Sequence, residues 1–212
     1  MPRWGMVIDL RKCVGCSTCK EVCDQSNARP PGVSRILIEK EKDVDSQGER
    51  FFMTMSCMHC EHPPCKDTCP TGATYRRPDG IIEIREELCI GCGTCIVACP
   101  YRARSICTED VISGIERSDR DENDKLDADR IGICTKCNFC SKIVDAGLQK
   151  GLRPGEDPEA TPLCVRSCIA EALYFGDLED NESRVSKLIQ ENNTTRLLEE
   201  LGTAPNIYYI LK

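Results

Sequence analysis

Cys13, Cys16, Cys19 and Cys23 are spaced C-x2-C-x2-C-x3-C, and Cys89, Cys92, Cys95 and Cys99 repeat that spacing with Pro100 next. Cys57, Cys60, Cys65 and Cys69 form a variant with a longer central gap, C-x2-C-x4-C-x3-C, followed by Pro70. Cys137 and Cys140 make a pair, and after a long insertion Cys164 and Cys168 close on the same C-x3-C. Thiols this dense cross-link a secreted scaffold, hold structural zinc, or ligate iron and sulfide. Disulfide scaffolds are mostly short secreted chains, whereas this one has 212 residues and no charged n-region and apolar stretch after Met1. A zinc site needs only two C-x2-C knuckles and gives no reason for a third regular cysteine or a trailing C-x3-C.

The run C-x2-C-x2-C-x3-C-P is that of bacterial ferredoxins. Three cysteines two residues apart sit on one tight loop and point their thiolates at one face of a cube-shaped 4Fe-4S cluster. The fourth lies too far along to close the same cube and ligates a second cluster, so such motifs work in pairs. Sixteen of the eighteen cysteines fall into these motifs. Cys134 makes Cys134, Cys137 and Cys140 read as another C-x2-C-x2-C, and a register using Cys134 in place of Cys137 stays open on spacing alone. Cys107 has no partner spacing and reads as a small core residue. His59 and His62 lack the second histidine-cysteine pairing that a Rieske centre needs.

The elements that must position these loops are short. Ile81 to Ile84 behind Asp79-Gly80, Arg35 to Ile38, and Phe51 to Met55 read as strands, each one side of a small hairpin. Lys20 to Cys23 and Ile96 to Cys99 fit single helical turns. Aromatic residues make up only 5% of the chain, so side chains alone fill little core and bound clusters must fill part of it. Trp4 reads as one of the few large core residues. The polar stretches Glu116 to Arg130 and Lys150 to Pro162 read as surface loops. Asp119, Asp121 and Asn123 match part of a calcium loop, but Asp124 and Arg130 stand where glycine and glutamate belong. Beyond Asp177, Val185, Leu188 and Ile189, then Leu197, Leu198 and Leu201, are spaced for short amphipathic helices, and Ile207 to Leu211 for a strand. This tail either packs over its own domain or docks on a partner. The net charge of −7 gives no basic stripe for nucleic acid, and no apolar span is long enough to cross a membrane. No nucleophile with a matched base and no phosphate-binding glycine loop is present, so the chain reads as a non-catalytic electron carrier. Lys12, Lys20, Arg76, Arg77, Arg102 and Arg104 flank the motifs and read mostly as solvated cations.

Most of the chain resembles the four-cluster subunits of molybdopterin oxidoreductases related to dimethyl sulfoxide reductase, including the iron-sulfur subunits of arsenate and polysulfide reductases and phenylacetyl-CoA oxidoreductase. The resemblance rests on Met6 to Cys16 (MVIDLRKCVGC), Cys57 to Cys65 (CMHCEHPPC), Cys69 to Ala73 (CPTGA), Cys99-Pro100-Tyr101, Lys136 to Cys140 (KCNFC) and Gly202 to Tyr209 (GTAPNIYY). It implies an α+β fold of two pseudosymmetric ferredoxin-like domains, each for two 4Fe-4S clusters, with loop insertions and a C-terminal extension. Residues 1–50 plus 131–178 would form one domain and 51–110 the other, with a polar insertion at 111–130 and the tail at 179–212. It also implies four ligand sets: Cys13, Cys16, Cys19 and Cys168; Cys137, Cys140, Cys164 and Cys23; Cys57, Cys60, Cys65 and Cys99; and Cys89, Cys92, Cys95 and Cys69. The implied partners are a large molybdenum or tungsten subunit and a membrane anchor or quinone-reactive subunit. The complex would be peripheral to a membrane, either periplasmic by co-export or cytoplasmic.

The chain departs from the pattern where Asp24 and Ile169, not proline, follow Cys23 and Cys168. A stand-alone soluble polyferredoxin is the alternative function, and a zinc-bearing interaction protein a third. Because a cluster binds the assembled ligand set and not the random coil, its binding energy is folding energy. The cluster-free chain is therefore expected to show no cooperative thermal transition. Sharp native-like melting of the apo-protein in calorimetry would contradict this.

Overall fold

The computed structural model describes residues 1–27, 33–40, 52–106 and 131–211. Cys107, the calcium-like run and the 111–130 insertion lie outside the described residues. The strands are β1 (Trp4–Asp9), β2 (Leu37–Lys40), β3 (Phe52–Met55), β4 (Thr74–Arg76), β5 (Ile82–Ile84), β6 (Ser105–Ile106), β7 (Cys134–Thr135), β8 (Leu173–Asp177), β9 (Thr194–Thr195) and β10 (Ile207–Ile210). The helices are α1 (Thr18–Ser26), α2 (Pro64–Asp67), α3 (Thr94–Val97), α4 (Ser141–Gln149), α5 (Leu163–Arg166) and α6 (Arg184–Glu191). Helix and strand intermingle along the chain, which makes the fold α+β.

β1 is central to the one larger sheet, ordered β8-β1-β10-β9, running parallel to β10 and antiparallel to β8. All six of its residues are buried because both faces are covered. Alternation divides them: Trp4, Met6 and Ile8 enter the main core, and Val7 meets Val185, Leu188 and Ile210 on the other side. Trp4 stacks on Phe175 at a 5.4 Å centroid separation. Gly5 is required here, since a Cβ would lie 2.7 Å from the Asn206 carbonyl oxygen. The tail thus packs on its own chain, with β10 paired to β1 and α6, capped by the Ser183 hydroxyl, lying over the sheet.

The remaining strands form three two-stranded ladders: β2 with β3, β4 with β5, and β6 with β7. Expected strands near residues 36, 53 and 82 are all present, each in one of these ladders. The expected helix around Leu197 to Leu201 is absent. Leu198 takes a left-handed conformation (φ 49°), so only a three-residue 3-10 turn follows at Glu199–Leu201. The Lys150 to Pro162 stretch is largely exposed but ends on buried Ala160 and Thr161.

The loop of the second motif is tied to this sheet through Asn206. Its amide Nδ2 donates to the His59 carbonyl at 2.8 Å, its N–H donates to the Met58 carbonyl at 2.9 Å, and its own carbonyl accepts from the Met6 N–H. Replacing a buried donor strands its partner without water, at a cost of about 1–3 kcal/mol. Asn206→Ala is accordingly expected to lower the unfolding free energy of the cluster-loaded protein by that amount and to speed iron loss to a chelator. Denaturant curves that superimpose on those of the wild type would contradict the tethering role.

Candidate metal centres

The first and third motifs build the same loop. Gly15 and Gly91 both have φ of 67°, Ser17 and Gly93 both turn left-handed, and a helix begins at Thr18 or Thr94. The second and fourth motifs enter their helices from Pro63 and Pro162. In all four, one cysteine is the second helical residue: Cys19, Cys65, Cys95 and Cys164. Each of these is 8% exposed. The cysteine four residues on (Cys23, Cys69, Cys99 or Cys168) leaves the far end of the turn toward a different group.

The result is four gatherings of thiols. Set I, Cys13, Cys16, Cys19 and Cys168, lines one small cavity with Thr54 and Leu173. Set II, Cys23, Cys137, Cys140 and Cys164, lines a second with Phe139 and Pro162. Set IV, Cys69, Cys89, Cys92 and Cys95, lines a third. In set III, burial pushes the Cys60 thiol up to about 12, and Cys57, Cys65 and Cys99 each add to the shift. Three of these gatherings each line a cavity, and the fourth is a group of thiols that raise one another.

All seventeen described cysteines are free, although many are buried in groups. Burial, and then neighbouring sulfurs, push Cys19 up to about 11 and Cys23 up to about 12, and raise Cys164 well above the usual thiol range. Four thiolates around one cavity are unfavourable without positive charge between them. Among the described residues, no three His, Cys, Asp or Glu side chains converge closely enough for one metal ion. Sulfurs arranged around a space, not a point, fit a polynuclear iron-sulfur group better than zinc.

Hydrogen bonds to sulfur recur. The hydroxyls of Thr18 and Thr94 lie 3.4 and 3.3 Å from Cys16 and Cys92 Sγ. The backbone N–H groups of Thr74, Phe139 and Ala172 donate to Cys69, Cys137 and Cys168 Sγ at 3.3–3.4 Å. Such contacts tune a cluster's potential.

Successive sets adjoin one another. Cys19 of set I acts on Cys164 of set II, and Cys57 of set III acts on Cys137 of set II. Cys65 of set III connects through Arg104 toward Cys95 of set IV. α1 packs on α5 and α2 on α3, so each helix pair spans two sets.

Four features escape a reading of motifs alone. Cys134 lies not in set II but against Cys95, with the two Sγ atoms 3.6 Å apart at the set IV cavity. Arg104, expected among solvated cations, is 5% exposed, whereas Arg102 is exposed and Arg77 pairs with Asp79 and Asp145. Lys136 is buried, its Nζ donating to the carbonyls of Ile82 and Cys137. His59 is buried too: burial first, then Lys136 and Arg104, hold it well below the usual histidine range. Its Nδ1 accepts from the Ile82 N–H, and its ring stacks on Phe139 at 3.8 Å, so it serves packing. The spacing of Cys134 in C-x2-C-x2-C was the one sequence signal for any of these.

Comparison with known proteins agrees with this chemistry. A family described as a 4Fe-4S dicluster domain matches residues 49–116. A selenate reductase subunit of Mesobacillus selenatarsenatis is 41% identical over 226 residues, covering 98% of this chain and 72% of that protein. A protein of Halobacterium salinarum named as a dimethyl sulfoxide reductase iron-sulfur subunit is 39% identical, covering 99% and 79%. A tetrathionate reductase subunit of Salmonella typhimurium is 32% identical, covering 98% and 72%. With free thiols gathered on ferredoxin-type loops and relatives matched across nearly its whole length, the chain belongs to the iron-sulfur subunits of the molybdopterin oxidoreductases related to dimethyl sulfoxide reductase.

Proposed function

We propose that this chain is the electron-transfer subunit of a reductase complex, holding four 4Fe-4S clusters on sets I to IV and performing no substrate chemistry itself. Four-iron clusters supply one-electron redox chemistry over roughly −700 to +450 mV. The chain's own residues bury the thiolates, donate hydrogen bonds to them, and fix the order of the sets. The pairings of α1 with α5 and of α2 with α3 support two pseudosymmetric ferredoxin-like domains, each serving two sets.

The observation that carries this reading is the succession of adjoining sets, with an exposed thiol only in sets I and IV. Cys16 of set I and Cys92 of set IV are exposed, whereas no cysteine of sets II and III is. Apolar side chains stand beside each: Val14 and Ile169 near set I, and Ile90 and Val97 near set IV, with Val97 89% exposed. Two apolar collars around the ends of an electron path suit two protein partners. The family supports a catalytic partner, which on this reading is a large molybdopterin subunit carrying molybdenum or tungsten, and the second partner would be a membrane quinone-linked subunit. No described helix is long and apolar enough to cross a membrane. The membrane partner would hold the complex against a membrane, on its periplasmic or cytoplasmic side.

Two outcomes are expected. Cys137→Ala should remove about four irons per chain while Cys134→Ala removes none, as measured by iron analysis of anaerobically purified protein; the reverse pattern would overturn the set II assignment. The native chain should copurify with a large molybdenum or tungsten subunit, and the double change Ile90→Asp and Val97→Asp should release one partner at unchanged iron content. An autonomous native monomer would favour a freely diffusing polyferredoxin instead.

A further inference from the structure

Arg104 is buried between two thiol sets, and the fold explains how. Ser105 and Ile106 of β6 pair with Thr135 and Cys134 of β7, which brings the residue before β6 over the gap between α2 and α3. There its guanidinium donates to Cys65 Sγ of set III at 3.0 Å and to the Thr74 hydroxyl at 3.0 Å, and reaches Cys134 Sγ at 3.9 Å. Cys134 in turn contacts Cys95 Sγ of set IV. Among the described residues no carboxylate pairs with Arg104.

A guanidinium cannot shed its proton, and burying a charge without a partner costs several kcal/mol. Sulfur is therefore the counter-charge. The sulfurs within its reach are Cys65 and Cys134, and Cys134 in turn touches Cys95. They belong to, or lie against, sets III and IV alone. At set II, Arg35 lines the cavity but is only partly buried, and the buried Lys136 turns its Nζ to backbone carbonyls.

We propose, building on the four-cluster reading above, that Arg104 is a positioning residue shared by two clusters: its fixed charge, held between sets III and IV, raises both of their reduction potentials relative to those of sets I and II. A nearby positive charge favours the more negative, reduced state of a cluster. It thus biases electrons toward sets III and IV. Thr74 holds the guanidinium in place, and Cys134 passes its field to Cys95 through a sulfur contact and not as a ligand.

The test is an EPR-monitored redox titration of the intact anaerobically purified complex, comparing wild type with Arg104→Gln and Arg104→Lys. Arg104→Gln should raise the oxidised-to-reduced ratio of two clusters about tenfold at fixed potential, about 59 mV for a one-electron couple, and leave the other two in place. Arg104→Lys, which keeps the charge, should leave both potentials close to those of the wild type. Any other pattern, with none, one or all four potentials moving, overturns the inference. If Arg104→Gln does not assemble, Thr74→Val frees the guanidinium from its anchor and should shift the same two potentials by a smaller amount. No shift there overturns it equally. Fewer than four redox-active clusters in the wild type would instead contradict the functional reading on which this rests.

Discussion

The constraint on which the rest of this structure depends is the electrostatic cost of gathering thiolates together away from water. Cys19, Cys23, Cys57, Cys60, Cys137 and Cys164 belong to the main core beside Trp4, Ile8 and Phe175, where another protein would place leucine or isoleucine. None is cross-linked. Burial pushes Cys19, Cys23, Cys60, Cys137 and Cys164 toward their neutral form, yet ligation needs the thiolate. Positively charged iron reconciles the two demands, so the packing of this core and the binding of its cofactors are one free-energy balance.

The rest of the architecture serves to hold the loops at fixed separations while that balance is met. A short helix in each motif carries one cysteine into its own gathering of thiols and sends the next toward a neighbouring one. The β8-β1-β10-β9 sheet closes the molecule by joining the first strand to the last, and Asn206 ties that seam to the loop of Cys57 and Cys60. Buried cations complete the interior. Arg104 meets sulfur directly, whereas Lys136 meets backbone carbonyls between sets II and III.

Much of this was legible in the residues. Cysteine spacing marked the loops and the helical turns, and local pattern marked the strands at Ile82, Phe52 and Ile207. The grouping of Cys23 with Cys137, and of Cys168 with Cys13, came only from resemblance, because more than a hundred residues separate the partners. Arg104 was misread as solvated because its burial comes from pairing β6 with β7 across about 30 residues of chain, which no local pattern carries. Cys134 was ambiguous for a related reason. Its spacing suits a ligand loop, but its backbone is committed to β7, which turns the thiol toward Cys95. Leu197 to Leu201 had helical spacing without a helix, since a left-handed Leu198 and Gly202 bound a single turn.

The measurement that tests the central claim most directly is the iron, acid-labile sulfide and zinc content of the anaerobically purified native assembly. The account predicts about sixteen irons and about sixteen sulfides per copy of this chain once partner clusters are subtracted. Zinc without acid-labile sulfide would contradict it.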